Sequence, residues 1–184
     1  GTPIKINGRF PEEAIFSSGV LNDYQISANG ATVVYRADQN TNGVVELYSA
    51  PIDGGRSLKL NDTLTTGGST ISFEISPDGV NVVYRADKDT NNMGELYSVP
   101  IEGGTSIKLN DVLPANGDVG GNFQISPDSS TVVYRADQDT DNVFELYSVP
   151  IGGGPTTKLN SLLTAGGDTF AFIISPDGAN VVYR

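Results

Sequence analysis

Ile75-Ser76-Pro77-Asp78-Gly79, followed one residue later by Asn81-Val82-Val83-Tyr84-Arg85-Ala86, is a passage this chain writes almost four times. The copies begin at Ile26, Ile75, Ile125 and Ile174, successive offsets of 49, 50 and 49 residues. Val-Val-Tyr-Arg travels with them, starting at Val33, Val82, Val132 and Val181. Pro presets φ for the turn and Asp-Gly tolerates the reversal, while the β-branched and aromatic run that follows is a strand. A period of about fifty residues built from short strands predicts propeller blades, not helical solenoid units.

Working outward from the anchor, one repeat reads as four strands. Phe73-Glu74-Ile75 is the first and Asn81 to Ala86 the second. A polar loop, Asp87 to Gly94, leads to a third strand, Glu95-Leu96-Tyr97-Ser98-Val99-Pro100-Ile101. Glu102-Gly103-Gly104 turns the chain into a fourth, Ser106-Ile107-Lys108-Leu109-Asn110. No segment sustains a 3.6-residue period, so no long helix is expected; Pro11 to Ile15 has room for a single helical turn. The predicted fold class is all-β, a β-propeller or propeller segment of four-stranded antiparallel blades. Its parts are an outer strand and link over 1–22, blades over 23–71, 72–120 and 121–169, and the first two strands of a further blade over 170–184. Ile4-Lys5-Ile6-Asn7 matches the fourth strand, and the last copy stops after its second strand. The expectation is a stretch of a longer propeller, or one completed by another chain, because open sheet edges are avoided.

Ile-Ser-Pro-Asp-Gly, a strand, Arg-Ala-Asp, then Glu-Leu-Tyr-Ser-Val-Pro-Ile-x-Gly-Gly together resemble the repeat of TolB-type β-propellers. The resemblance covers nearly the whole chain, with Gly8 to Val20 the poorest part. It implies the propeller fold and no particular activity, since such propellers serve as scaffolds, partner-binding domains and gating domains of peptidases.

Composition narrows the function classes. A net charge of −11 argues against nucleic acid and against an anionic membrane surface. There is no apolar run long enough to span a bilayer, and Gly1-Thr2-Pro3-Ile4 lacks the charged start and apolar core of a signal peptide. The chain has neither Cys nor His. Ser-His-Asp and Cys-His arrangements are therefore excluded within it, and there is no Gly-x-Ser-x-Gly elbow or phosphate-cradling loop. No intrinsic enzyme activity is expected.

The polar loops carry the sharpest chemical signal. The first runs Asp38, Asn40, Asn42, Val44, Glu46 at positions 1, 3, 5, 7 and 9; the second Asp87, Asp89, Asn91, Met93, Glu95; the third Asp137, Asp139, Asp141, Val143, Glu145. Oxygen side chains at 1, 3, 5 and 9, a backbone carbonyl at 7 and a turn-tolerant Gly or Asn at 6 suit calcium, a hard cation taking six to eight oxygens. The spacing resembles the calcium-binding hairpin loops of integrin-type propellers, with Glu in place of the shorter acid at 9. The opposing reading is a set of turns capped by their own Asp and Asn side chains, with Glu46, Glu95 and Glu145 paired to arginine.

Other repeated residues read as structural. Arg36, Arg85, Arg135 and Arg184 share one register and need partners, or form a ligand-binding ring. The tyrosines of the second and third strands read as packing residues. Lys59, Lys108 and Lys158 read as a solvated outer edge, and Asn61-Asp62-Thr63 fits a glycosylation acceptor. The function expected from these features is a calcium-stabilised, non-catalytic scaffold or protein-interaction module. It would be extracellular, at the cell surface or periplasmic, binding a protein partner or further copies of itself, without membrane insertion. The alternatives are the propeller domain of a larger hydrolase resembling prolyl oligopeptidases, or a subunit of a surface assembly or filament completed by strand sharing.

Overall fold

A computed structural model describes residues 20–163 and 167–184. The expected outer strand at Ile4 to Asn7 and the helical turn at Pro11 to Ile15 lie outside them.

The described residues are all-β. Three four-stranded antiparallel sheets follow one another as meanders: β1 (Val20–Ile26), β2 (Thr32–Ala37), β3 (Glu46–Pro51), β4 (Leu58–Lys59); then β5 (Thr70–Ile75), β6 (Asn81–Ala86), β7 (Glu95–Pro100), β8 (Ile107–Lys108); then β9 (Val119–Ile125), β10 (Thr131–Ala136), β11 (Glu145–Pro150), β12 (Thr157–Lys158). A two-stranded sheet, β13 (Phe172–Ile174) with β14 (Val181–Tyr183), starts a fourth. The first strand of the second blade starts at Thr70, three residues before Phe73, and an irregularity between Thr70 and Ser72 re-aims it.

The register repeats from blade to blade. Tyr35 lies opposite Tyr48, Tyr84 opposite Tyr97 and Tyr134 opposite Tyr147. Each pair stacks inside its sheet, with ring centroids 5.7, 5.4 and 5.7 Å apart. Valines on the flanking positions point between blades. Val83, Leu96 and Leu109 of the second blade form one buried cluster with Val119, Ile125, Val132 and Tyr134 of the third. The anchor turns hold their shape through side chains: Ser76 Oγ accepts from Asn81 N at 2.9 Å, and Asp78 Oδ1 accepts from Val80 N at 3.0 Å. Gly79 closes that turn at φ 75°, and the third copy places Ser129 there at φ 62°. Ser129 Oγ in return accepts from Asp78 N of the preceding blade at 2.9 Å.

The inner strands are tied by side-chain amides. Gln25 Nε2 donates to Phe73 O at 3.2 Å and Gln25 Oε1 accepts from Ile75 N at 3.0 Å. Gln124 does the same to Phe172 O and Ile174 N, at 3.2 and 3.0 Å. The second blade has Glu74 at this register position. Burial raises the Glu74 carboxyl above its ordinary value. The strands packed on β5 bring it no free charge: Asp23 of β1 is held by Arg36, Arg85 of β6 by Asp118, and β9 carries no ionisable residue. An acid whose folded pKa is raised favours folding below its unfolded pKa, and that contribution is lost as pH rises through the folded value. Glu74→Gln, which restores the donor, is expected to stabilise the protein by about 1 kcal/mol at pH 7. Urea unfolding at pH 7 and pH 4 checks it: the gain over wild type should shrink at pH 4, and a constant gain would refute the account.

Candidate functional site

The three polar loops share one construction. The aspartate at position 1 turns back and caps its own loop: Asp38 Oδ2 accepts from Gly43 N at 3.1 Å, Asp87 Oδ2 from Asn92 N at 3.2 Å, Asp137 Oδ2 from Asn142 N at 2.9 Å. Position 6 has positive φ in each copy, 77° at Gly43 and 61° at both Asn92 and Asn142. The other oxygen of Asp87 accepts from Ser69 N and that of Asp137 from Asp118 N, both at 2.5 Å, so the loop also grips the link that enters its own blade. At position 7, the amides of Val44, Met93 and Val143 bond the carbonyls of Thr41, Thr90 and Thr140.

The glutamate at position 9 opens the third strand, is buried, and has two kinds of donor. Tyr48, Tyr97 and Tyr147 donate to Glu46, Glu95 and Glu145 at 2.8, 2.7 and 3.1 Å. Burial first, and then the adjacent glutamate, hold these phenols far above their ordinary range, so they remain donors. The second donor is lysine from the short outer strand: Lys59 to Glu46 at 2.8 Å, Lys108 to Glu95 at 2.5 Å, Lys158 to Glu145 at 2.7 Å. Lys108 also meets Asp89 at 2.7 Å, and Lys158 meets Asp139 at 2.6 Å. In the second and third loops an ammonium therefore sits between the carboxylates of positions 3 and 9. It holds Asp89 below the usual carboxylate range, against some opposing burial. In the first loop position 3 is Asn40, and Lys59 pairs with Glu46.

These partners bear directly on the calcium expectation. Among the described residues no three acidic side chains gather at one point. Positions 1 and 9 already accept from backbone amides, tyrosine and lysine. The exception lies at position 5 of the third loop, where Asp141 Oδ1 is buried and accepts no hydrogen bond.

The lysines are not the solvated edge the sequence implied: each is the counter-ion of a buried glutamate, not the arginine considered there. The signal was present, since Glu and Lys recur together 13 residues apart in all three copies. The arginines hook the next blade. Arg36 pairs with Asp23 at 2.5 Å and donates to Thr70 O at 2.8 Å and to Ile71 O; Arg85 donates to Val119 O at 2.5 Å and meets Asp118 at 3.2 Å. Arg135 lies over the Phe144 ring, 5.1 Å from its centroid, with Nε unpartnered. The glycosylation match fails on burial: Asn61 is 3% exposed, accepts from Leu47 N at 2.7 Å and donates to Asp62 O at 2.8 Å. Asn110 and Asn160 do the same for Leu96 and Leu146.

No protein-family profile matches the chain, and no curated protein does. Solved structures do. A structure of TolB from Agrobacterium tumefaciens superposes with a TM-score of 0.63 at 21% identity, over 91% of this chain and 56% of that one. A prolyl endopeptidase structure gives a TM-score of 0.66 at 14% identity, over 93% and 26% of the two chains. An oligogalacturonate lyase in complex with manganese gives 0.55 at 18%, over 83% and 41%. The chain thus spans about half the length of the TolB structure and less of the other two. Its blades have the TolB-type propeller fold.

Removing the internal cation separates buried from exposed pairs. Lys108→Met leaves the Glu95 side chain, 6% exposed, without a counter-ion and should destabilise by about 2–3 kcal/mol. Asp89→Ala removes a half-exposed partner and should cost less than about 1 kcal/mol. Urea unfolding of both variants checks the difference; equal losses would refute the role given to Lys108.

Proposed function

We propose that the chain is a stretch of non-catalytic propeller acting as a scaffold or protein-interaction module outside the cytoplasm. The observation that carries this reading is how the repeated polar residues are used. The loop aspartates, the glutamate–lysine–tyrosine sets and the paired arginines Arg36 and Arg85 all bond within a blade or to the next one. They build a wall of blades and leave no repeated constellation poised for chemistry. The likeness to a TolB structure supports a periplasmic or extracellular setting. No helix among the described residues is long and apolar enough to cross a membrane. The likeness to a prolyl endopeptidase supports the second reading, the propeller of a larger hydrolase. The outer side of β14 offers the edge that β2, β6 and β10 use to pair a Glu-Leu-Tyr-Ser strand, from further chain or another copy. Turnover by this chain of peptidase or uronide-lyase substrates would overturn the non-catalytic reading.

Calcium belongs to this proposal in the third loop, where the orphaned Asp141 Oδ1 marks capacity the fold does not use. Asp139, Asp141 and Glu145 would hold the ion there, in competition with Lys158. The ion would supply the cross-link between loop and strand that Lys158 now supplies. Ligand charge orders the loops as third, second, first. Calorimetric titration of chelator-treated protein tests this, beside Asp141→Asn and Lys158→Met. Calcium at a hundred times Kd should stabilise by about 2.7 kcal/mol. Asp141→Asn should weaken binding, and Lys158→Met should strengthen it by removing the competing cation. Absence of heat and of thermal shift at millimolar calcium would eliminate the metal.

A further inference from the structure

At one position the anchor turn of the first blade carries an amide where its three copies carry an acid. Asn29 stands in the place of Asp78, Asp128 and Asp177. Ser27 Oγ donates to Asn29 Oδ1 at 2.8 Å, and Ala31 N donates to the same oxygen at 3.0 Å. The copies make both contacts to a carboxylate: Ser76 Oγ and Val80 N to Asp78 Oδ1, Ser126 Oγ and Ser130 N to Asp128 Oδ1, Ser175 Oγ and Ala179 N to Asp177 Oδ1. The serine hydroxyl first, and then the backbone amide, hold these three carboxyls below their ordinary range. The turn is built for a negatively charged oxygen, and the first copy offers it a neutral one.

The surroundings of that amide favour its loss. Gly30 follows it, and a residue without Cβ puts the least bulk beside Asn29 Cγ. The hydrogen bond from Ala31 N closes a ring that contains both Asn29 Cγ and Gly30 N, so the side chain is folded over the backbone nitrogen able to attack it. The two donors on Oδ1 stand where negative charge develops when Cγ becomes tetrahedral. Asn29 is exposed, and its Nδ2 has no hydrogen bond among the described residues, so ammonia departs into water. Gly30 N–H donates to Ser27 O at 2.8 Å, a bond the reaction breaks. The other described Asn-Gly pairs break one too. Gly43 N is held by the Asp38 carboxylate at 3.1 Å, which opposes a developing anion. Gly117 N is held by Pro114 O at 2.9 Å, beside an Asn116 side chain with no hydrogen bond among the described residues. Asn7-Gly8 lies outside the described residues.

We propose that Asn29 is a modification site, converted by its own turn to a normal aspartate. Gly30 N loses its proton and attacks Asn29 Cγ. The new C–N bond replaces the Cγ–Nδ2 bond, Nδ2 leaves as ammonia, and a five-membered succinimide closes. Water then opens the ring at one of its two carbonyls. Addition at Cγ breaks the bond to Gly30 N and leaves an aspartate, whereas addition at the main-chain carbonyl leaves isoaspartate. One water is consumed and one ammonia released, with no other reactant. Ser27 and Ala31 polarise the oxygen on Cγ, so they direct water to that carbon. Isoaspartate also adds a backbone carbon inside a turn closed by Gly30 N to Ser27 O and by Thr32 N to Ser27 Oγ at 3.0 Å. The product is the residue the other three turns already use, and it adds one negative charge. The chemistry needs neither a metal nor a partner protein.

The test incubates the 184-residue chain in ¹⁸O-labelled water at pH 8, native and in urea. Digestion and mass spectrometry then locate the label, with aspartate and isoaspartate peptides separated by chromatography. In the native protein Asn29 should convert before Asn42 and Asn116. Its ratio of aspartate to isoaspartate should exceed that of the unfolded chain by about tenfold, since donors in an exposed turn act more weakly than in a water-excluded site. Ser27→Ala, shown to be folded by its melting transition, should bring the ratio back toward the unfolded value. An Asn29 that stays intact while the unfolded chain converts would overturn the site, as would conversion slower than at Asn42 or Asn116. An equal product ratio in native and unfolded wild-type chains would overturn the directing role of the turn, whether or not the Ser27→Ala variant folds.

Discussion

A four-stranded sheet of this size has two apolar faces and no means of covering either by itself. Everything else in the structure follows from the way each blade lends its neighbour a face. The β10 valine Val133 is 3% exposed, whereas its counterpart Val182 on β14 is 64% exposed. The sequences around them are nearly the same, so the neighbouring strands and blade make the difference. Burial of apolar area supplies the driving force, and it is non-directional. Direction comes from polar ties: arginine hooks onto the next inner strand, glutamine amides that bond an edge carbonyl and amide together, and loop aspartates that cap the link entering their own blade.

The glutamate–lysine–tyrosine set solves a problem the blade creates for itself. Opening the third strand with a glutamate places a carboxylate beside a buried tyrosine stack, where an unpaired charge is strongly disfavoured. The tyrosine hydroxyl satisfies one oxygen and the lysine ammonium neutralises the charge. The lysine reaches from the two-residue outer strand, so it also fastens that strand, which has few ladder bonds of its own. A divalent cation in the same loop would do equivalent work. Such a cation would compete with the lysine for one electrostatic position.

Repetition makes divergence informative. Where three copies agree, the residue serves the blade, and where one departs the local environment has changed. Phe144 stands over Arg135 where Gly94 leaves room for the Arg85 guanidinium. Ser129 accepts a left-handed backbone and gains a tie to the preceding turn. Glu74 breaks the run of glutamine amides.

The strand order, the blade period and the buried tyrosines were legible in the chain because they are local: alternation, turn chemistry and a repeat at fixed spacing. The positive φ at position 6 was legible for the same reason, since Gly and Asn are what that backbone takes. What each charged side chain meets was not legible. Lys108 lies 13 residues from Glu95, and Arg36 lies 34 residues from the carbonyl of Thr70. Such pairings depend on how β4, β8 and β12 fold back and on how one blade stacks against the next. The folded loop turns its first aspartate inward to its own amides and gives its glutamate to lysine, contacts that the alternation of oxygen side chains along the loop does not specify. Local pattern determined the blade. Only packing between blades decided the partner of each charge, because Coulomb and hydrogen-bond energies depend on distances that the order of residues does not set.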